Sequence, residues 1–299
     1  MLTYDIHQHL WPRSFVEALE RRSTPPFLRG VTLETTAGSF PVDLTLHDPE
    51  LRLASLDRAR IDVAVLSLQP TLGVESLPVS ERDELELAWV EGTRELIGHG
   101  SGRFRALAPW RLDDGFPGTS VGASALLSEH GADVLAEVDA AGGLLFVHPE
   151  AGEPVPPGRP DWWQWTAGYA GQMQQAYLSW LGGLRDLYPD IRIVFAMLAG
   201  GGPIHHERLV HRGVHVRSSP DPDTVFDTSS YGRRAIELCI ETFGIERLVY
   251  GSDVPVIDPA PTLDAIRSLG GSVSRFLQSD TPERLLAPSP DHQRRPSES

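Results

Sequence analysis

DVLAEVDAAGGLLFVHPE, residues 133–150, contains the unit from which this chain is built. Residues 133–141 carry the apolar spacing of a helix, Gly142-Gly143 interrupts it, and the unbroken apolar run that follows suits a strand covered on both faces. That strand ends in His148-Pro149-Glu150, so side chains able to do chemistry stand where the chain leaves the sheet. The same alternation recurs on either side. LTYDIH (2–7), RIDVAVLSL (60–68), FRALAP (104–109) and, least clearly, TSVGASALL (119–127) read as strands upstream; DIRIVFAML (190–198), DTVFDTSS (223–230) and RLVYGSD (247–253) follow downstream. Helical patterns separate them, although the segment before TSVGASALL is too short for a full helix and that unit reads as eroded. About eight strands with intervening helices in roughly 250 residues predict an α/β fold, a single (β/α)8 TIM barrel with one eroded βα unit. A doubly wound sheet is the runner-up, weakened because no G-x-G-x-x-G follows a strand. The barrel is read as residues 1–287, and 288–299, rich in Pro, Ser and charge, as a disordered tail.

The chain has 299 residues, with 41 acidic against 26 basic side chains and a formal net charge of −15. Phosphate recognition needs a basic face, so this balance argues against a nucleic-acid partner. No run approaches the roughly 18 apolar residues of a membrane span, and MLTYDIHQHL lacks the apolar core of a signal peptide. The single cysteine, Cys239, leaves no internal disulfide and no cysteine-based metal site, and it reads as a buried structural thiol. These features predict a cytoplasmic protein with no membrane partner. All 26 basic residues are arginine. Schiff-base chemistry, P-loop phosphate binding and a carboxylated-lysine metal bridge each need a lysine and are excluded.

Three strands end in metal-ligand chemistry. In His7-Gln8-His9 the alternation of an extended backbone puts both imidazoles on one side. His148 ends a second strand and Gly251-Ser252-Asp253 a third. In a (β/α)8 barrel the C-terminal strand ends open onto one face, so residues 7, 9, 148 and 253 converge. Imidazoles with a carboxylate suit zinc, iron, manganese or nickel and disfavour magnesium or calcium.

The motifs DIHQHLWP, the Arg52–Asp57 helix leading into IDVAVLSLQP, RFRALAP, FVHP, AGGGP, TSSYG and LVYGSDVP resemble the amidohydrolase superfamily, in its aminocarboxymuconate-semialdehyde decarboxylase-like (amidohydrolase 2) branch. Carried over by motif, the resemblance implies His7, His9, His148 and Asp253 as metal ligands. That branch usually has a His before the Gly-rich turn after strand six, serving as general acid or base. Here Phe195-Ala196-Met197-Leu198-Ala199-Gly200-Gly201-Gly202-Pro203 has Met, Leu or Ala in that place. Hydrolysis and non-oxidative decarboxylation both move a proton near the reacting carbon, so the family's usual reactions lose their proton carrier.

Just beyond lie His205 and His206, at the start of a helix opened by Pro203. Either can replace the missing base or add a ligand; His205 is favoured as the ligand, leaving His206 as the catalytic group. With Glu150, the candidate ligands exceed the about three or four of a catalytic zinc site. Glu129, His130 and Asp227 are weaker candidates, and His47, His99, His211, His215 and His292 are assigned surface or structural roles. Trp11 and the cluster Trp162, Trp163 and Trp165 suggest a large apolar substrate pocket, with Tyr231 as a polar contact. Arg234, Gln69 and Ser67 are weaker polar candidates.

The reading this favours is a non-haem iron monooxygenase, with one iron or a pair, hydroxylating a bulky apolar substrate. It also rests on similarity to a divergent amidohydrolase-like branch of di-iron monooxygenases from diterpenoid biosynthesis, which implies CoA-linked substrates. The alternative keeps the family's chemistry, a zinc- or manganese-dependent hydrolase or non-oxidative decarboxylase of a carboxylated small molecule. A barrel kept only for binding is the third reading. A small-molecule substrate is the expected partner; a homo-oligomer rests on analogy with other barrels.

Overall fold

The apolar runs of the sequence form parallel strands in the computed structural model, which describes residues 1–152, 155–160, 162–214 and 221–288. They are β1 (Tyr4–Gln8), β2 (Val63–Leu66), β3 (Phe104–Ala106, resuming as Ala108–Pro109), β4 (Gly118–Gly122), β5 (Leu144–His148), β6 (Arg192–Phe195), β7 (Thr224–Asp227) and β8 (Leu248–Val249). Each pairs in parallel with the next, from β1 against β2 through to β7 against β8. Leu107 N–H donates to Leu66 O at 2.9 Å, carrying β3 across its interruption. The ring closes where Ile6 N–H donates to Tyr250 O at 3.1 Å and Gln8 bridges Val254 in parallel. The expected (β/α)8 barrel is therefore the fold, its strand residues buried because helices cover the outside and side chains fill the inside.

The eroded unit lies between β3 and β4. Residues 110–117 hold no helix, only a turn in which Trp110 N–H donates to Ser120 O at 2.8 Å. Trp110 is buried there, its indole N–H bonded to Glu86 Oε2 at 3.0 Å. TSVGASALL was read as one strand; the strand stops at Gly122 and Ala123–Leu126 is a single 3-10 turn. A feature the sequence reading did not contain is an antiparallel sheet of Phe27–Arg29, Thr32–Thr35 and Gly38–Pro41, inserted after β1. Its strands are three or four residues long, and of their apolar side chains Leu28 and Leu33 alone are buried, so the periodic signal is too short to read. Residues 289–299, most of the expected tail, and His215 and His292 lie outside the described residues. Among those described, no helix is long and apolar enough to cross a membrane.

Gly118 is set by packing. A Cβ there would stand 2.2 Å from Leu144 O on β5, so no side chain fits where these two strands approach. Gly118→Ala is expected to cost about 2 kcal/mol, the scale of overpacking in a core. Chemical denaturation checks this, and an unshifted midpoint would mean that the strands are not so close.

Candidate metal centre

The C-terminal ends of β1, β5 and β8 bring His7, His9, His148 and Asp253 together, with one ligand atom from each lying within 4.8 Å of the others. All four are buried. Their outward nitrogens are spoken for. His7 Nδ1 meets Asp227 Oδ2 at 2.7 Å, His9 Nδ1 meets Ser67 O at 2.9 Å, and His148 Nδ1 meets Pro149 O at 2.7 Å. Carbonyl and carboxylate oxygens only accept, so each Nδ1 carries a proton. In the neutral imidazoles each Nε2 is then a lone pair. His7 Nε2 is 3.2 Å from His9 Nε2 and 3.5 Å from Asp253 Oδ1, which is itself 3.2 Å from His9 Nε2. Asp253 Oδ1 is enclosed and has no hydrogen-bond donor. Convergent buried lone pairs repel, and a bound cation, a metal ion or in its absence a proton, is what resolves them. The site fits a divalent metal ion.

Protonation follows the same logic. Burial lowers the pKa of His9, and it lowers that of His148 to about 3, with the charge of His7 adding to the shift in both. Burial opposes the Asp253 carboxylate, but His7, His9 and His148 outweigh it and hold its pKa below the usual value. For His7, burial is likewise overcome, by Asp227 and Asp253, and the pKa rises to about 9. Without a metal the cluster therefore holds a proton at His7.

The supports of these ligands extend the site. Asp227, at the end of β7, accepts from Met197 N at 3.1 Å, Ser229 N at 2.8 Å and Ser229 Oγ at 2.6 Å through Oδ1, leaving Oδ2 for His7. Asp5 takes Gln8 Nε2 at 2.7 Å and Ser252 N at 3.0 Å, joining β1 to the turn that presents Asp253; burial raises its pKa to about 6. Arg52, also buried, donates to Gln8 Oε1 at 2.8 Å, His9 O at 3.1 Å and Leu46 O at 2.9 Å. Asp227 was only a weak ligand candidate in the sequence; its role is to orient His7. The bonding of Asp5 and Arg52 carried no sequence signal beyond their closeness to the motifs.

Other expectations are corrected. Glu150 and His205 do not join the ligand cluster. Glu150 turns instead to the end of β4, its Oε2 accepting from Ser124 Oγ at 2.8 Å. His205 and His206 are half-buried on the helix Pro203–His211, and the His206 ring packs edge-on against Phe243 at 5.8 Å. Phe243 belongs to the helix after β7, so that packing directs His206 to the outer layer and not to the metal ligands. Trp11 is buried, its indole N–H donating to Gln69 Oε1 at 2.6 Å. Trp162 and Trp165 are exposed, and Trp163 stands under Arg159. Tyr231 is half-buried, its carbonyl accepting from Thr262 Oγ1 at 3.1 Å. Tyr169, not singled out in the sequence, begins the helix Tyr169–Ser179; burial first, and then the charge of Asp253, raises the pKa of its phenol.

Among known proteins, the Amidohydrolase family matches residues 10–286. The chain belongs to the amidohydrolase family. A 2-amino-3-carboxymuconate-6-semialdehyde decarboxylase of Dictyostelium discoideum is 24% identical over 348 residues, covering 95% of this chain and 94% of that protein. The apo structure of Metarhizium anisopliae IDCase superposes with a TM-score of 0.77 at 21% identity, covering 95% of this amidohydrolase and 97% of that chain. The manganese-bound D314N mutant of 5-carboxyvanillate decarboxylase LigW2 from Novosphingobium aromaticivorans gives 0.74 at 17% identity, covering 95% and 97%. The expected iron monooxygenase is thereby overturned. The curated relative spanning nearly the whole chain is a decarboxylase. The ligand surplus behind the di-iron reading also dissolves, since one cluster forms among the described residues.

Asp227→Asn should weaken metal affinity about 10–100-fold, the scale for losing a partner that orients a ligating imidazole. Competition with a chromogenic chelator measures it, and an unchanged constant would show that Asp227 does not set the His7 tautomer. Metal must also displace the proton that His7 holds below its pKa of about 9. Apparent affinity is therefore expected to rise about tenfold per pH unit through neutrality and to level off above that pKa, because one proton is released per ion bound.

Proposed function

We propose that this amidohydrolase is a metal-dependent, non-oxidative decarboxylase of a small conjugated carboxylate, an aromatic or enol-like acid with an oxygen beside the carboxylated carbon. The observation that carries the reading is the buried His7–His9–His148–Asp253 cluster at the mouth of the barrel. Its support is the decarboxylase relative that spans the chain. Manganese or zinc is the ion assigned, because nitrogen-rich donor sets suit both and manganese occupies the LigW2 decarboxylase. Bound there, a divalent ion supplies Lewis-acid polarisation of the carboxylate and the neighbouring oxygen.

The chain's own residues do the rest. The reaction adds a proton to the carbon bearing the carboxylate, then breaks the bond to that carboxylate and releases CO2, the bonding electrons returning to the conjugated system. Where the resemblance leads one to expect a His, this turn offers Met197, Leu198 or Ala199, none of which has a proton to donate, so the proton comes from elsewhere. Tyr169 retains its phenolic proton at neutral pH and feels the charge of Asp253, and this reading assigns it as the donor. Asp253 keeps Oδ1 inside the cluster. Asp227 and the carbonyls of Ser67 and Pro149 hold the imidazoles in the tautomers that leave every Nε2 inward.

The test is CO2 release from a panel of ortho-hydroxylated benzoates and carboxylated muconates by manganese- or zinc-loaded protein. Turnover should persist without oxygen and disappear with a chelator; no release from any member refutes the reading. Tyr169→Phe should slow turnover about 100-fold or more, as for loss of a general acid, with metal content unchanged.

A further inference from the structure

His47 was assigned a surface or structural role, yet its surroundings prepare it for more. It closes the short turn Leu44–His47, whose start is capped by the Asp43 carboxylate on Thr45 N at 3.0 Å. Asp48, the next residue, caps the following helix through Leu51 N at 2.9 Å. Arg52 on that helix bonds both Leu46 O and His9 O, so one buried guanidinium ties this turn to the strand end that carries two ligands. The His47 ring stacks on Trp11 with 4.3 Å between centroids and 11° between planes. Trp11 N–H also donates to His47 Nδ1 at 3.0 Å.

A ring nitrogen that accepts cannot hold the proton of a neutral imidazole, so the proton is on Nε2. Burial, then the charges of Arg52 and His9, lowers the pKa of His47 to about 3, and the ring stays neutral at neutral pH. Only 8% of the residue is exposed, but Nε2 has no partner among the described residues and is not one of the enclosed orphan atoms. Nε2–H is therefore a donor that no described residue matches, in the turn that Trp11 and Arg52 hold beside the strand end carrying His7 and His9.

We propose that His47 is a substrate-binding residue whose Nε2–H donates to an anionic oxygen, carboxylate or phenolate, of the substrate at the His7–His9–His148–Asp253 cluster. The assignment rests on the decarboxylase reading above. A donor locked in one tautomer by Trp11 selects an acceptor and surrenders no proton to it. That suits an oxygen that must stay anionic until CO2 leaves, in a chain with no lysine to supply an ammonium donor.

Two variants separate binding from support of the loop. Asn at 47 places Oδ1 near the position of Nδ1, so Trp11 N–H keeps an acceptor, but nothing stands at Nε2. Gln places its amide nitrogen near Nε2 and leaves Trp11 N–H without its partner. Calorimetric titration of the manganese-loaded protein with 2-hydroxybenzoate is the measurement, alongside metal content and melting temperature. His47→Asn is expected to weaken binding about tenfold, the scale of one hydrogen bond to a charged group, with metal content and melting temperature as in the parent. His47→Gln should bind more tightly than His47→Asn although it melts lower. Parent-like affinity in His47→Asn, or no advantage of Gln over Asn, overturns the assignment while CO2 release by the parent keeps the decarboxylase reading. A parent that neither binds 2-hydroxybenzoate nor releases CO2 from any carboxylated phenol overturns both.

Discussion

Four buried donors pointing at one another are the constraint on which the rest of this structure depends. Each imidazole offers a lone pair only because its other nitrogen keeps its proton and donates it in a hydrogen bond to an acceptor-only oxygen, on Asp227, Ser67 or Pro149. Those oxygens come from β7 and from the ends of β2 and β5, so the site exists only when the barrel has closed. Closure itself passes through the ligand strands. Asp253 N–H donates to His7 O at 2.8 Å and His9 N–H to Val254 O at 2.7 Å, joining the first and last strand ends. The cation that relieves the repulsion among the donors therefore also fastens the seam of the barrel, which couples metal binding to folding.

This explains how unevenly the sequence could be read. The ligands were legible because strand alternation and the one-face rule of the barrel act on residue types that are rare and chemically distinct. The barrel and its eroded unit were legible because Leu144–Val147 and Ile193–Phe195 are apolar on both faces, and because too few residues separate β3 from β4. Metal count and reaction were misread for one reason. His205, His206 and Glu150 have the right chemistry close to the right strand ends, and sequence gives no direction for a side chain once the strand has stopped. The helix Pro203–His211 turns His206 toward Phe243, and Glu150 leaves toward Ser124. An apparent ligand surplus then suggested a second metal, and with it oxygen chemistry.

His47 and Tyr169 were illegible for a related reason. Their positions follow from bonds to unremarkable partners, a backbone N–H of Trp11 in one case and the seating of a helix in the other. Composition carried its own information. With arginine as the only strong cation, Arg52 is spent on a neutral amide and two carbonyls, where its fork serves as geometry and not as a counter-charge.

The turn after β6 serves the metal ligands through its backbone. Met197, Leu198 and Ala199 all adopt left-handed backbone, with φ of 54°, 47° and 51°, ahead of Gly200 and Gly201. Such a conformation costs about 1–2 kcal/mol for each residue with a Cβ, so something must hold it. Gln174 Nε2 donates to Gly200 O at 2.6 Å, and Gly200 approaches Ala170 so closely that a Cβ would stand 2.3 Å from Ala170 O. In return the turn aims Met197 N–H at Asp227 Oδ1, the oxygen whose occupation leaves Oδ2 to His7. The turn thus serves the metal ligand through its backbone, a function that does not depend on the side chain at 197. The same packing at Ala170 seats the helix that begins with Tyr169. One contact thus supports both the turn that orients the ligand and the helix on which Tyr169 stands.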